Sequence, residues 1–478
     1  MDVRLKITDG EPVYRQIVRY IEERVRSGEL APGTLLPAER KLAEQLQVNR
    51  STVSVAYDEL RARGFIRSKQ GSGTRVSEDA WGLEFRAPDW AGYVSQGIFQ
   101  PTLPLVRLLW EENRRAENIN LARGEMAPEL WPVKQLQALA AELPPQVQLG
   151  YGDPRGEKSL RSTVSRHLAD HYGIRMPAHR ILITAGSQQG LHLVTQSLLR
   201  PGDAVALEKP SYAYSLPLFA SAGVRMFPLP VDEDGLVPDE VMALHRRHRI
   251  RMVFVTPTHQ NPTGTLLTPE RRRRLIDICA DLRIPIVEDD AHGALTLDGN
   301  PPPPPPLAAM AGADQQVIYL GTLSKTFAPG LRVGWMTGPT TVIDRIAGVR
   351  EQMDFGISGI TQAIAEQVLA TGIWAENVRR LRSELTKRRN IMVDCLHRYF
   401  GDDLTFTIPQ GSYHIWGKMK HPVRDRDLAE RAIRSGVVIA PGSVYGAGPG
   451  YVRLTYASSP EADIEEGIRR LHRAWKDG

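Results

Sequence analysis

The segment GTLSKTFAPGLRVGW occupies residues 321–335 and continues from the apolar run VIYLG at 317–321. A short apolar run rich in β-branched residues predicts a buried strand, and the polar residues after it predict a loop at the strand's carboxyl end. That loop contains a lysine flanked by hydroxyls and followed by an arginine: Thr322, Ser324, Lys325 and Arg332. Hydroxyl and guanidinium groups beside a lysine are suited to holding a phosphate close to its amine.

Further apolar runs lie on the amino-terminal side of this segment and alternate with stretches of helical periodicity. Four of them predict additional strands: RILIT (180–184), DAVALE (203–208), RMVFVT (251–256) and IPIVED (284–289). Continuous apolar strands separated by helices are typical of an α/β domain whose mostly parallel sheet lies between helices. Ligands of such sheets bind beyond the strand ends, which is where the polar motifs of this chain lie.

The motifs after the other strands supply the groups that a lysine-bound pyridoxal phosphate (PLP) needs. Such a cofactor requires an acid beside its ring nitrogen, donors for its phosphate and ring oxygen, and an aromatic partner. VEDDAHGAL (287–295) offers the acid, and TAGSQQG (184–190) opens a helix whose backbone N–H groups are suited to an anion. The assigned residues are Asp289 for the ring nitrogen, Asn261 for a ring oxygen, Gly186, Ser187 and Gln188 for the phosphate, and Tyr212 for stacking.

Composition limits the remaining classes of protein. The chain has 478 residues, of which 42% are hydrophobic and 24% charged, and this fits a folded protein of two or three domains. No apolar run has the length of a membrane-spanning helix, and the start of the chain lacks the pattern of a signal peptide. Two cysteines leave little scope for disulfides or a Cys-rich metal site, so we expect a cytoplasmic protein without a metal site.

The positive charge of the chain is concentrated at its start. Residues 1–77 contain 14 Lys/Arg and 10 Asp/Glu, so they carry +4 of the net charge of +5. Apolar spacing predicts three helices there: Tyr14–Val25, Pro37 or Ala38 through Leu46, and Ser51–Arg63. The strands FIRSK (65–69) and TRV (74–76) flank a GSG turn. This order predicts a helix-turn-helix followed by a β-hairpin wing.

The start of the third helix carries the residues that we expect to contact DNA. A recognition helix reads base edges from its N-terminal residues, and arginine binds guanine through two hydrogen bonds. The expected contacts are Arg50, Ser51, Thr52 and Ser54 on that helix, Arg40 on the preceding helix, and Gly71, Ser72 and Gly73 in the wing. Alternatively, Ser51 only caps its helix and the arginines are only solvated.

Residues 12–76 resemble the winged helix-turn-helix of GntR-type bacterial regulators. The elements PAER (37–40), VNRSTV (48–53) and GSGT (71–74) occur in the order that the family shows. The resemblance implies double-stranded operator DNA as a partner and the DNA contacts named above. Ser54 stands where other members have a basic residue.

From Asn118 to Trp475 the chain resembles the fold-type I aminotransferases of class I/II. The resemblance implies a Schiff base between Lys325 and PLP, together with the cofactor contacts assigned above. It also implies that Tyr151 in LGYGDPRGEKSLR reaches the phosphate of the neighbouring subunit, and that Arg453 in GYVRLTYAS binds the α-carboxylate of an amino acid. His292 stands where many members have a tyrosine that contacts the ring hydroxyl.

Together the two resemblances are those of the MocR subfamily of GntR-type regulators. They imply residues 1–77 as the DNA-binding domain, 78–117 as a linker and 118–478 as a PLP-binding effector domain. The expected protein is a homodimeric transcriptional regulator that senses an amino acid, a related amine or PLP itself through a lysine aldimine. The alternatives are a catalytically active aminotransferase and a DNA-binding protein that has lost its cofactor.

Three other segments have simpler interpretations. The linker contains three tryptophans, which predicts partial docking on a domain and a helix near Leu105–Glu112. Pro301–Pro306 predicts an exposed loop that acts as a rigid spacer or as a peptide-recognition ligand. Arg271–Arg274 follow a predicted helix start and are expected on the solvated face of that helix.

Overall fold

The computed structural model describes residues 5, 10–69, 73–78, 90, 93–94, 97–99, 101–143, 147, 149–310 and 312–476. The chain divides into two compact units, Met1–Gly97 and Ile98–Gly478. Within the described residues, none of the helices combines the length and apolar character that crossing a membrane requires.

The first unit has the predicted winged helix-turn-helix. Its helices are α1 (Val13–Arg26), α2 (Glu39–Leu46) and α3 (Arg50–Ala62), and its antiparallel hairpin consists of β1 (Ile66–Lys69) and β2 (Gly73–Val76). These bounds differ from the predicted ones by at most two residues at either end of an element.

A single apolar core joins the three helices to the hairpin. Its fully buried members recur at helical spacing along α1 and α3 and include Ile17, Ile21, Val53, Ala56 and Leu60. Burying a side chain of this kind stabilises the fold by roughly 1.5–3 kcal/mol. The polar end of the buried Tyr57 is also satisfied, because its hydroxyl donates to the Pro37 carbonyl over 2.8 Å. The exposed face of α3 is therefore left for contacts outside this unit.

The second unit is built on an eight-stranded sheet with the order β4-β11-β10-β9-β8-β5-β6-β7. In chain order the strands are β4 (Ile181–Thr184), β5 (Ala204–Lys209), β6 (Arg225–Asp232), β7 (Gly235–Leu236), β8 (Met252–Val255), β9 (Ile286–Asp290), β10 (Val317–Thr322) and β11 (Gly334–Thr337). Strands β10, β9, β8, β5 and β6 pair in parallel, whereas β11 is antiparallel to both β10 and β4. The predicted α/β class with a mostly parallel sheet is confirmed.

Helices cover both faces of this sheet. The helices of the second unit are α4 (Pro104–Glu112), α5 (Val133–Ala141), α6 (Lys158–Tyr172), α7 (Ser187–Leu198), α8 (Leu218–Ser221), α9 (Glu240–His248), α10 (Pro269–Asp281), α11 (Thr340–Met353), α12 (Gly359–Ala370), α13 (Ile373–Phe400), α14 (Asp425–Arg434) and α15 (Glu461–Lys476). Alternate residues of β10 enter different cores: Ile318 and Leu320 pack with α7 and α11, whereas Tyr319 packs with α6 and α12. This alternation follows the two-residue period of a strand.

Two smaller sheets complete the second unit. The first has the order β12-β13-β16-β15 and packs with α13 and α15: β12 (Leu404–Phe406), β13 (His414–Met419), β15 (Ala440–Pro441) and β16 (Tyr451–Thr455). The second is a parallel pair of β3 (Ile119–Asn120) and β14 (Val437–Val438). Through these two sheets, the segment after α4 lies beside the segment around Arg453.

Helix α4 occupies the place where the linker was predicted to contain a helix. It begins at Pro104 and ends at Glu112. Val106 and Leu109 are buried in a core cluster with Val438 and Tyr445, so α4 belongs to the packing of the second unit. Trp81, one of the three linker tryptophans, lies outside the described residues.

The prediction that Arg271–Arg274 lie on a solvated helix face is wrong for one of the four residues. Arg272 is fully buried, and its guanidinium donates to the carbonyls of Leu267, Pro257 and Pro305 over 2.7–3.0 Å. The physical reason is the period of the α-helix, because four consecutive residues point around almost the whole circumference. The predicted exposure of the proline run holds for Pro301, Pro302 and Pro305, whereas Pro306 is buried.

Candidate functional site

A cavity of about 410 Å³ lies at the carboxyl edge of the main sheet. Twelve of the thirteen residues predicted to hold the cofactor or an amino-acid carboxylate line it: Lys325, Asp289, Asn261, His292, Tyr212, Gly186, Ser187, Gln188, Thr322, Ser324, Arg332 and Arg453. They converge because parallel strands place their carboxyl ends at one edge of a sheet. In the register of β9 with β10, for example, Asp289 pairs with Leu320, five residues before Lys325.

Lys325 is half-buried in the floor of this cavity. Its amine donates a 2.6 Å hydrogen bond to the carbonyl of Gly124, in the loop after β3. Burial lowers the pKa of Lys325 to about 8, and the positive charge of Arg453 contributes in the same direction. A lysine with a lowered pKa is a better nucleophile near neutral pH than an ordinary surface lysine.

The rate at which cofactor-free protein captures PLP should therefore depend on pH in a defined way. Only the unprotonated amine attacks an aldehyde, so we expect the rate to rise about tenfold per pH unit below pH 7 and to level off above about pH 8. The measurement is the growth, after mixing, of the visible absorption band of PLP bound covalently to the lysine. Free Nα-acetyl-lysine serves as the control amine. A rate that continues to rise through pH 9.5, as for the free amine, would show that Lys325 has an ordinary pKa.

Asp289 provides the test of whether the cavity fits a pyridine ring. Its Oδ1 atom is buried and has no hydrogen-bond partner among the described residues. Burial raises the pKa of Asp289 to about 6, although a hydrogen bond from Ser187 favours the ionised form. A buried carboxylate with an unused acceptor is suited to a protonated ring nitrogen. The ring N–H⁺ would donate to that acceptor, and its positive charge would favour the ionised form of Asp289. The residues present fit PLP on this ground.

The residues around the start of α7 are suited to a phosphate. Gly186 precedes the first turn of α7 with φ +88°, and a Cβ there would lie 3.1 Å from Arg332 Nη2. The Arg332 guanidinium donates to the carbonyl of Ala185. Thr322 Oγ1 donates to Ser324 Oγ over 3.0 Å. A helix N-terminus, a guanidinium and two hydroxyls thus come together where an anion is favoured.

Arg453 lies on β16 and is almost fully buried. Its two terminal nitrogens donate to Asn261 Oδ1 over 3.0 Å and to the Ala122 carbonyl over 2.6 Å. Its guanidinium carbon lies 4.8 Å from the centre of the Tyr445 ring, and its Nε has no partner among the described residues. A buried arginine whose partners are neutral carries an uncompensated positive charge, which favours a carboxylate in the cavity.

Tyr151 is the predicted site residue that does not line the cavity. Its side chain is 85% exposed, and its ring lies 5.0 Å from that of Phe355. An exposed position is what a residue needs if it acts in a neighbouring subunit.

Sequence reasoning missed the contribution of α4. Val106, Leu109 and Trp110 line the cavity together with Asn113 and Arg114 just after the helix. The tryptophan content of this region indicated docking, but apolar spacing over nine residues gave no indication of what α4 docks on. Tyr445 and the Gly124 carbonyl were missed for a different reason, because only the folded chain brings them beside Arg453 and Lys325.

The predicted DNA contacts that the structure describes include exposed basic and hydroxyl side chains on the first unit. Arg40 and Arg50 have 86% and 73% of their side chains exposed, and each is near an acid, Glu44 at 3.2 Å and Glu39 at 3.7 Å. Ser51 is exposed, and Thr52 and Ser54 are half-buried. The residue before the first turn of α3 is Asn49, so Ser51 is not its N-cap. Gly71 and Ser72 lie outside the described residues, and Gly73 has φ +82°.

Comparison with known proteins identifies both parts of the chain. Residues 116–471 match the family described as aminotransferase class I and II, and residues 13–76 match the bacterial regulatory proteins of the gntR family. The chain belongs to the class I and II aminotransferase family. Its GntR-type DNA-binding domain is fused to this PLP-dependent domain, which confirms the predicted resemblance to the MocR subfamily and the predicted cofactor.

Both transcriptional regulators and aminotransferases are similar to this chain. The HTH-type transcriptional regulators YisV and YdfD of Bacillus subtilis, both described as uncharacterized, are 36% and 35% identical, with 96% of this chain and 95% of each relative covered. The crystal structure of LysN, the α-aminoadipate aminotransferase of Thermus thermophilus, is 30% identical over 81% of this chain and 98% of its own, with a TM-score of 0.73. It contains N-(5'-phosphopyridoxyl)-L-leucine, a compound of the cofactor with an amino acid.

Proposed function

We propose that this protein is a PLP-dependent transcriptional regulator that binds operator DNA and senses an amino acid, a related amine or PLP itself. The observation that carries the proposal is the presence, in one polypeptide, of an exposed recognition helix and a cavity lined by eleven of the twelve residues predicted to bind PLP. The names of YisV and YdfD, which match nearly the whole chain, support the regulatory role. Such a regulator acts on the chromosome, and therefore in the cytoplasm.

Each predicted cofactor-binding residue that lines the cavity has a proposed role. PLP supplies an aldehyde that condenses with amines and a ring that withdraws electrons. Lys325 holds the aldehyde, Asp289 keeps the ring nitrogen protonated, Asn261 and His292 bind the ring oxygen, and Tyr212 stacks on the ring. The phosphate is bound by Gly186, Ser187, Gln188, Thr322, Ser324 and Arg332.

The proposed path of the signal is the connector, by which we mean Ile98–Glu112 at the start of the second unit. Helix α4 lines the cavity through Trp110, and the chain runs from its first residue towards the first unit. Further along the connector, Phe99 stacks on His192 of α7, with 6.0 Å between ring centres. Helix α7 also begins at the proposed phosphate site. If DNA and an effector each bind two arrangements of this connector with different affinities, the effector changes the DNA affinity, and DNA changes the effector affinity by the same factor.

A homodimer is the proposed assembly. Two segments that meet at the Tyr151–Phe355 contact carry exposed apolar side chains. The exposed residues are Leu149 (83%) and Tyr151 (85%) in the first segment, and Met353 (52%), Phe355 (51%) and Ile360 (42%) in the second. Large exposed apolar patches mark protein interfaces. In a dimer, Tyr151 is proposed to contact the phosphate bound to the other subunit.

Replacement of Arg453 tests whether the effector is recognised by its carboxylate. We expect Arg453→Gln to weaken the binding of an effective amino acid by roughly 1.5–3 kcal/mol, or about 10- to 150-fold, because a charge-assisted hydrogen bond pair is lost. The matched control is the decarboxylated amine of the same side chain, whose affinity should not fall. Both affinities follow from titration of the visible absorption band. Equal losses for the two ligands would exclude Arg453 as the carboxylate site.

A second candidate function is that of a working aminotransferase. The predicted cofactor-binding residues that line the cavity and the similarity to solved aminotransferases favour it. Purified PLP-loaded protein is mixed with a panel of amino acids and a keto acid, and the new amino and keto acids are quantified. The regulator proposal predicts spectral changes with less than one product per subunit, whereas sustained multiple turnover would favour the enzyme.

A further inference from the structure

A buried histidine–serine pair borders the cavity. His292 and Ser412 are 2% and 1% exposed, and Ser412 Oγ lies 3.1 Å from His292 Nδ1. Ser412 comes from the loop before β13, whereas His292 follows β9 and also lines the cavity. The pair therefore connects the smaller sheet to the proposed cofactor site.

The direction of this hydrogen bond follows from the proton of the serine hydroxyl. If His292 Nδ1–H donated to Ser412 Oγ, the hydroxyl proton would have no acceptor among the residues that the structure describes, since Oγ makes no other hydrogen bond there. A buried donor without an acceptor is unfavourable. The favoured arrangement has Ser412 Oγ–H donating to Nδ1, and it leaves the imidazole proton on Nε2.

The backbone holds Ser412 in this place. Its φ is +62°, a conformation that is unfavourable for residues other than glycine. Its amide donates to the Leu295 carbonyl over 2.9 Å, and its carbonyl accepts a 3.0 Å hydrogen bond from the Tyr456 hydroxyl. A serine kept in a conformation that suits glycine indicates that its hydroxyl has a role.

We propose that Ser412 is a positioning residue that fixes His292 in the tautomer with its proton on Nε2, so that His292 donates a hydrogen bond to the ring oxygen of PLP. The proposal rests on the role of His292 given above. A tyrosine in this position always carries a hydroxyl proton, whereas a neutral imidazole presents either a proton or a lone pair. The other tautomer, with its proton on Nδ1, would direct a nitrogen lone pair at the negatively charged ring oxygen of PLP. Replacement of the tyrosine by a histidine thus requires a group that selects the tautomer.

The surroundings of His292 oppose its protonation. Burial lowers the pKa of His292 well below its ordinary value, and the neighbouring Lys325, His259 and Arg453 act in the same direction. The rings of Tyr413 and His414 face it edge-on, with centres 4.9 and 5.7 Å away. His292 accordingly stays neutral over the neutral pH range, and its tautomer decides what it offers to the cofactor.

The test is the pH at which the visible absorption band of the PLP-loaded, full-length protein changes. This change reports loss of the proton from the lysine–cofactor linkage, and its midpoint is the pH at which half of the linkage has lost that proton. A donor at the ring oxygen stabilises the negative charge that this oxygen carries after the proton is lost, so removal of the donor raises the midpoint. We expect Ser412→Gly and His292→Phe each to raise the midpoint by about one pH unit, and the double variant to raise it no further. Glycine suits the φ of this position, so Ser412→Gly removes the hydroxyl without backbone strain.

A second histidine–hydroxyl pair in the same part of the fold serves as the matched control. His414 Nδ1 and Thr455 Oγ1 are 2.9 Å apart and equally buried, but neither residue lines the cavity. Thr455→Val should leave the midpoint unchanged. An unchanged midpoint in Ser412→Gly, or an equal shift in Thr455→Val, would overturn the proposal. DNA binding does not enter this measurement, so its outcome is independent of whether the protein is a regulator.

Discussion

Lys325→Ala should abolish the visible absorption band of the protein after incubation with PLP. The amine of Lys325 is the group in the cavity that is placed to condense with the cofactor's aldehyde, and its lowered pKa of about 8 makes it reactive near neutral pH. Without the covalent attachment, only Asp289, Arg332 and the other non-covalent contacts hold the cofactor. We expect retention of PLP to fall by about 10²- to 10⁴-fold, the usual gain from making a second contact intramolecular.

Two controls accompany this variant. Lys325→Arg keeps the positive charge beside Gly124 but cannot condense with an aldehyde in the same way, so it should lose the band as completely as Lys325→Ala. Borohydride reduction of the loaded wild-type protein should attach the cofactor to the peptide that contains Lys325, as measured by mass spectrometry. Attachment to a different lysine, or a normal band in Lys325→Ala, would contradict the assignment of the site.

Arg50→Ala should weaken binding to the operator by about 1–3 kcal/mol, or roughly 5- to 150-fold. Arg50 opens the recognition helix, and 73% of its side chain is exposed. Its nearest charged neighbour, Glu39, is 3.7 Å away, so its guanidinium is oriented without being neutralised by a close ion pair. If Arg50 reads a guanine, the affinity for the operator should fall more than the affinity for unrelated DNA.

The control for loss of one positive charge is Arg63→Ala. Arg63 follows the other end of α3 and forms ion pairs with Glu22 and Glu59. We expect it to change affinity by less than about twofold, because an exposed charge away from the contact contributes little. Fluorescence anisotropy with operator and scrambled duplexes gives both affinities. Equal losses on the two duplexes for Arg50→Ala would make Arg50 a phosphate contact, without base specificity.

Local patterns were enough to predict the parts of the fold that bury one continuous apolar run. The strand before Lys325 and the three helices around Val53 were recognised because their apolar spacing is that of a strand or a helix. Strand β6 was not, because it contains Pro228 and Pro230, which argue against a strand. It tolerates them because the edge that faces away from β5 pairs only with the two residues of β7.

Site residues that belong to a short sequence motif could be predicted. Residues whose role depends on contacts between distant segments were missed. Asp289 lies at the carboxyl end of β9 and Lys325 follows β10, and because these parallel strands are neighbours their carboxyl ends must meet. Ser412 carries no motif, and its importance becomes visible only through its contact with His292, 120 residues earlier. The buried Arg272 shows the same limit, since a run of four arginines contains no sign of the carbonyls that one of them binds.

The central claim is that chemistry at Lys325 controls DNA binding, and the most direct test measures operator affinity of the PLP-loaded, full-length protein with and without amino acids. The account predicts that at least one amino acid or amine, or removal of PLP, changes the affinity of the wild-type protein by about 5- to 150-fold. In Lys325→Ala the basal affinity should remain and the response should disappear. An affinity that no such ligand changes, or an equal response in Lys325→Ala, would contradict the claim.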